Sequence, residues 1–185
     1  MSVSLESWET KSLLLNHISQ NSPSVVVGSA TEAPRAYYSC SVEGANGLLL
    51  IGVVVNQSKV PSVLCLPTSQ RVVIGYDQSF ALVDCRSATL LETTLLDGVF
   101  FEFCQERERG LVLVLHELGV VAISELGEEL WRYTTCDILE DWKLVDSRIV
   151  LTVMDTNVSV ELRLENGVPV SSLASPDSPP AAPRS

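Results

Sequence analysis

The feature that most constrains this chain is its punctuation. Short runs rich in Val, Ile, Leu and Phe are cut by turn residues roughly every eight to twelve positions, which is the pattern of an all-β, antiparallel protein. The segments Val25–Gly28, Ala36–Val42, Leu48–Val55, Pro61–Leu66, Arg71–Tyr76, Ser79–Asp84 and Thr89–Leu95 read as strands. So do Val99–Cys104, Leu111–His116, Gly119–Ser124, Glu129–Tyr133, Trp142–Val145, Arg148–Met154, Asn157–Leu164 and Val168–Ser171. Only Leu5–Ile18 suggests a helix, with Leu5, Trp8, Leu15 and Ile18 on one face and Ser4 or Ser2 as N-cap.

The runs also repeat. The stretches beginning at Arg71, Gly110 and Arg148 share one plan of strand, tight turn, second strand, polar turn and third strand, and their first apolar positions are Val72, Leu111 and Ile149. The tight turns fall at Tyr76-Asp77-Gln78, His116-Glu117-Leu118-Gly119 and Asp155-Thr156-Asn157. Repeat units therefore lie near 71–109, 110–147 and 148–171, with a degenerate unit near 36–70, all in one all-β domain over 1–171. In "ELGEEL", Gly127 supplies a positive φ, and Trp131 opens the next strand, where its ring closes over the hairpin. Asn46-Gly47 is a two-residue hairpin turn.

The stretch "GVVAISELGEELWRY" resembles the second and third strands of a blade in pyrroloquinoline-quinone-type β-propellers, with Ala122, Gly127 and Trp131 on the Ala, Gly and Trp positions. Ser124 stands where the pattern has Asp, unit one keeps Asp84 but lacks the Gly and Trp, and unit three has Asn166-Gly167 without a Trp. The resemblance implies blade-like hairpins, either propeller blades or a twisted sandwich, and carries no cofactor with it. The chain also resembles uncharacterised bacterial all-β proteins that share the "VPSVLCLP" and Trp elements. Residues 172–185, with four prolines and few large apolar side chains, read as a disordered tail in which "PPAAP" is a weak candidate ligand for a proline-recognition domain.

Charge and motifs narrow the function. The formal net charge is −11, which argues against nucleic-acid binding and against docking on an anionic membrane. No run reaches the roughly 20 apolar residues of a membrane-spanning helix. "MSVSLESWETKS" lacks the features of a signal peptide, so the expected compartment is the cytoplasm. The five cysteines are widely spaced with no CxxC pair and read as buried thiols. GxSxG, Walker A, GxGxxG and HExxH are all missing, which points to a non-enzymatic protein without cofactor or metal. "VEGANG" is a hairpin loop before it is a phosphate cradle. His116 reads as a half-exposed turn residue. It would ligate a metal only if its turn met Asp77, with Glu117 alongside, and a dyad with Cys104 is the speculative nucleophilic alternative.

One stretch stands out. Residues 100–146 hold 11 acidic and four basic side chains, with Trp131, Tyr133 and Trp142 among them. Glu128, Glu129, Trp131, Tyr133, Asp141 and Trp142 are thus the candidate interaction residues, suited to a basic protein partner. The alternative is a small-molecule-binding β-module with its ligand in an apolar mouth between sheets. Open strand edges leave the chain as a monomer or an edge-paired homodimer.

Overall fold

The computed structural model describes residues 1–21, 23–28, 36–44, 47–57, 59–154 and 159–170. The expected tail at 172–185, the Asn46 half of the Asn46-Gly47 turn, the Asp155-Thr156-Asn157 turn and Ser171 lie outside them. The chain forms two compact units, Met1–Cys136 and Asp137–Ser185.

The first unit stacks three four-stranded sheets. Sheet one holds β1 (Ser2–Trp8), β3 (Ala36–Gly44), β4 (Gly47–Val55) and β2 (Ser24–Val27), in that order. Its central strand β4 is an unbroken apolar run because both faces are covered. Leu49, Ile51, Val53 and Val55 face sheet two, and Leu50 and Val54 sit beneath helix α1 (Lys11–Gln20) with Leu14 and Ile18. Gly52 admits the helix closely, since a β-carbon there would stand 3.3 Å from Ile18 Cγ1. Thr10 caps the helix by accepting from the Leu13 N–H at 3.2 Å.

The helix is therefore shorter than Leu5–Ile18, and Thr10, not Ser4 or Ser2, is its cap. The Leu5–Trp8 part belongs to β1, which pairs antiparallel with β3 and exposes most of its side chains. Leu15 is exposed, and Leu14 takes the buried position. One further departure from an antiparallel plan is β2, which runs parallel to β4.

Sheet two is β5 (Ser62–Leu66), β6 (Arg71–Tyr76), β7 (Ser79–Asp84) and β8 (Thr89–Leu95). Sheet three is β9 (Phe100–Glu106), β10 (Leu111–His116), β11 (Gly119–Ser124) and β12 (Glu129–Thr134). Both are antiparallel meanders. Val72, Ile74, Ala81 and Val83 pack on sheet one. Val73, Phe80 and Leu82 pack on Val112, Val114, Val121 and Ile123 of sheet three. The same link recurs in each: the Leu96 N–H after β8 donates to Gln78 O at 2.9 Å, and the Thr135 N–H after β12 donates to Leu118 O at 2.7 Å. Each fourth strand is thereby tied back to the central hairpin turn of its own sheet.

The second unit carries β13 (Leu139–Val145), β14 (Arg148–Val153) and β15 (Ser159–Arg163) as an antiparallel sheet, extended by a bridge between Leu162 and Pro169. Ile149, Leu151 and Leu162 are buried, and Lys143, Arg148 and Glu161 share the opposite face. The three meanders begin at Ser62, Phe100 and Leu139, one strand before the repeat units that start at Arg71, Gly110 and Arg148.

Candidate functional site: an acidic rim strand and the open edge beside it

The turn into β12 is built to hold the strand. Gly127 adopts φ +81°, and a β-carbon there would collide with the Leu82 side chain of sheet two. The Ser124 hydroxyl accepts from the N–H groups of Leu126 and Glu128 at 3.2 Å, and the Arg71 guanidinium donates to the Leu126 carbonyl. Beyond this turn Glu128, Glu129 and Leu130 are exposed, Leu130 by 54%.

A register shift between Ala122 and Ile123 sets the faces of β12. Trp131 lies opposite Ala122 and Tyr133 opposite Val120, so both rings point away from sheet two. Trp131 is 9% exposed and belongs to the interior, while Tyr133 is half-buried. Arg132 lies opposite Val121 and points toward sheet two. Its guanidinium meets Glu129 Oε2 at 3.0 Å and Asp97 at 3.8 Å, and donates to the Leu95 carbonyl at 3.3 Å. Glu129 is thus partly neutralised within the chain, and Glu128 has no ion pair among the described residues. Four of the six sequence-chosen residues share this strand and its turn. Asp141, exposed, and Trp142, half-buried, stand on β13 in the second unit.

Sequence reasoning missed the neighbouring edge. Strand β8 closes the order of sheet two and exposes Leu90, Leu91 and Leu95, Leu95 by 73%. Edge strands usually protect themselves with charge or proline. Thr89–Leu95 has Glu92 alone. Below it, a groove of about 660 Å³ runs between β8 and β2, lined by Val26, Val27, Tyr76, Leu90, Thr93 and Leu95. A smaller cleft of about 190 Å³ opens between sheets one and two beside Val42, Leu49, Pro67, Gln70 and Cys85.

The candidate chemical groups separate. His116 is not half-exposed but fully buried, because β10 carries it opposite Phe100 in the core between sheets two and three. Its Nδ1 accepts from the Leu118 N–H at 3.4 Å, its Nε2 has no partner among the described residues, and burial lowers its pKa to about 4. Cys104 lies opposite Leu113, on the other face of the sheet, so no Cys104–His116 dyad forms. The Asp77 carboxylate takes the N–H groups of Asn56 and Gln57 at 2.9 Å each, which locks the link between sheets one and two. Among the described residues no three His, Cys, Asp or Glu side chains are placed to hold a metal. All five cysteines are free thiols. Burial pushes Cys40 up to about 12 and Cys85 up to about 11, the opposite of what a thiolate nucleophile needs. Among the described residues no helix is long and apolar enough to cross a membrane.

No protein-family model matches the sequence, and a search of curated proteins matches none. Solved structures do match. Dihydro-heme d1 dehydrogenase NirN superposes with a TM-score of 0.51 at 10% identity, over 73% of this chain and 32% of NirN. The fold is all-β, with small sheets like the blades of β-propeller proteins. AztD from Citrobacter koseri is similar at 0.48 and 18% identity, over 73% of this chain and 44% of its own. BamB from Moraxella catarrhalis is similar at 0.42 and 15% identity, over 80% and 50%. The chain spans a third to a half of the length of these proteins, and the likeness concerns the fold alone.

Proposed function

We propose that this chain is a non-enzymatic protein-interaction module that binds a basic protein partner through the acidic start of β12. The observation that carries this reading is the exposed Glu128-Glu129-Leu130 segment on an edge strand whose turn is fixed by Gly127 against Leu82. Apolar Leu130 and Leu126, 54% and 49% exposed, supply contact area beside Glu128 and Glu129, and half-buried Tyr133 adds an aromatic group. Trp131 anchors the strand from within. A preordered strand loses little entropy on binding, and clustered carboxylates steer a cationic partner toward it.

The test is affinity capture from lysate with the wild-type chain and with a Glu128→Lys/Glu129→Lys variant, at low and high salt. A partner held by wild type at low salt, and released both by high salt and by the variant, supports the reading. Equal capture by both proteins at both salt concentrations overturns it.

A second reading is favoured by the cleft of about 190 Å³ between sheets one and two. Its mixed lining, apolar at Val42, Leu49 and Pro67 and polar at Gln70, and its neutral Cys85 thiol suit a small uncharged molecule, since an apolar cavity near 150 Å³ takes one about the size of benzene. Thermal shift against small aromatic and aliphatic compounds tests it. Saturable stabilisation that a bulky substitution at Leu49 abolishes supports it, and no shift with any compound excludes it.

A further inference from the structure

We propose that the groove of about 660 Å³ between β2 and β8 binds a small molecule that carries a guanidinium group on a short aliphatic stem, in the place that Arg132 fills one repeat later. This site is separate from the acidic start of β12 and from the cleft of about 190 Å³ beside Cys85.

The repeat fixes which positions correspond. Ser79 pairs with Leu95 in sheet two, and Gly119 pairs with Thr134 in sheet three. Two residues further along, Ala81 pairs with Thr93 and Val121 with Arg132. The register shift falls at the same step in both sheets, between Leu82 and Val83 and between Ala122 and Ile123. Beyond it Val83 meets Leu90, and Ile123 meets Glu129. Thr93 is therefore the counterpart of Arg132, and Leu90 of Glu129. Both positions look toward the preceding sheet, since Ala81 and Val83 pack on sheet one, and Val121 and Ile123 on sheet two.

At this position sheet three carries a cation. The Arg132 guanidinium crosses to sheet two, where it donates to the Leu95 carbonyl at 3.3 Å and meets Asp97 at 3.8 Å. Glu129 holds it from its own strand at 3.0 Å. In sheet two the counterpart side chain stops at the Thr93 hydroxyl, which is hydrogen-bonded to Tyr76. The space beyond it is the groove.

The lining suits the group that the repeat leaves out. Asp77 is the charged side chain among the described residues that line the groove, and it makes no ion pair among the described residues. An anion would meet that carboxylate with no lysine or arginine in the lining to offset it. A guanidinium presents five donors in a planar fork and is weakly hydrated, so it gives up little on leaving water for a half-enclosed carboxylate. Val26, Leu90 and Leu95 supply an apolar wall for the stem, as aliphatic stems of cationic side chains lie along apolar surface.

Isothermal titration calorimetry of the full chain with n-butylguanidine, and with n-butylurea as its uncharged isostere, tests this. Saturable one-to-one binding of n-butylguanidine is expected, with n-butylurea at least about tenfold weaker. Thr93→Arg places the chain's own cation in the groove and abolishes binding. Leu90→Glu changes a side chain 41% exposed, adds the counterpart of Glu129 and tightens binding about two- to fivefold. Circular dichroism checks that both variants keep the fold, and should Thr93→Arg fail to fold, Leu90→Glu decides. No binding of n-butylguanidine to wild type, equal affinity for the two compounds, or an affinity for n-butylguanidine unchanged in the folded variants overturns the proposal.

Discussion

The Phe100 ring fills the space that a β-carbon on Gly75 would occupy, so β6 of sheet two and β9 of sheet three meet through a bare backbone and an aromatic face. Phe100 is itself almost fully buried in the core between those sheets. Gly75→Ala forces the ring aside and costs about 1–3 kcal/mol through overpacking. A lower urea midpoint with an unchanged slope checks this. Phe100→Leu in the Gly75→Ala background should recover part of the loss, because the two substitutions act on one contact.

Asp77 fixes the link between sheets one and two by accepting from two consecutive backbone N–H groups. Asp77→Ala leaves both donors without their acceptor in a half-buried site, at a cost of about 1–3 kcal/mol. Asn keeps one carbonyl oxygen and tolerates the positive φ of +46° found here. Asp77→Asn is therefore expected to lose less than Asp77→Ala in the same denaturant titration.

His116 makes stability depend on pH in one direction. Burial lowers its pKa from 6.5 to about 4 in the folded chain. Between those values the unfolded chain binds the extra proton, so its contribution is complete above pH 6.5 and is lost as pH falls toward 4. The full loss is about 3 kcal/mol. His116→Leu should flatten this part of the wild-type profile, measured as denaturation midpoints between pH 7 and 4. A variant profile parallel to wild type would remove His116 from the explanation.

Thr10 holds the start of α1, which covers Leu50 and Val54 of β4. Thr10→Ala should cost about 1 kcal/mol. Hydrogen exchange should quicken in α1 first, while amides of β6 and β10 keep their protection.

Several features were readable because they are local. Strands Arg71–Tyr76, Ser79–Asp84, Leu111–His116 and Gly119–Ser124 are bounded by turn residues, and their boundaries match. Gly127 has the positive φ its turn demands. What was not readable depends on partners distant in the chain. Strand β1 buries little, so its apolar spacing fits helix and strand alike, and only its pairing with β3 decides. The parallel pairing of β2 with β4 and the burial of His116 depend on how the sheets stack. The acidic character of β12 was visible, but not the turning of Trp131 inward or of Arg132 toward Asp97. "TLLETTL" reads as any half-buried strand, and its exposed leucines follow from its place at the end of the order of sheet two.

The acidic start of β12 as a binding strand is tested most directly on the captured partner, purified, by measuring Kd at several salt concentrations for wild type and for Glu128→Lys/Glu129→Lys. A weakening of about tenfold or more at low salt, together with a shallower salt dependence in the variant, is the predicted result. Equal affinities and equal salt slopes would contradict the assignment of β12 as the binding strand.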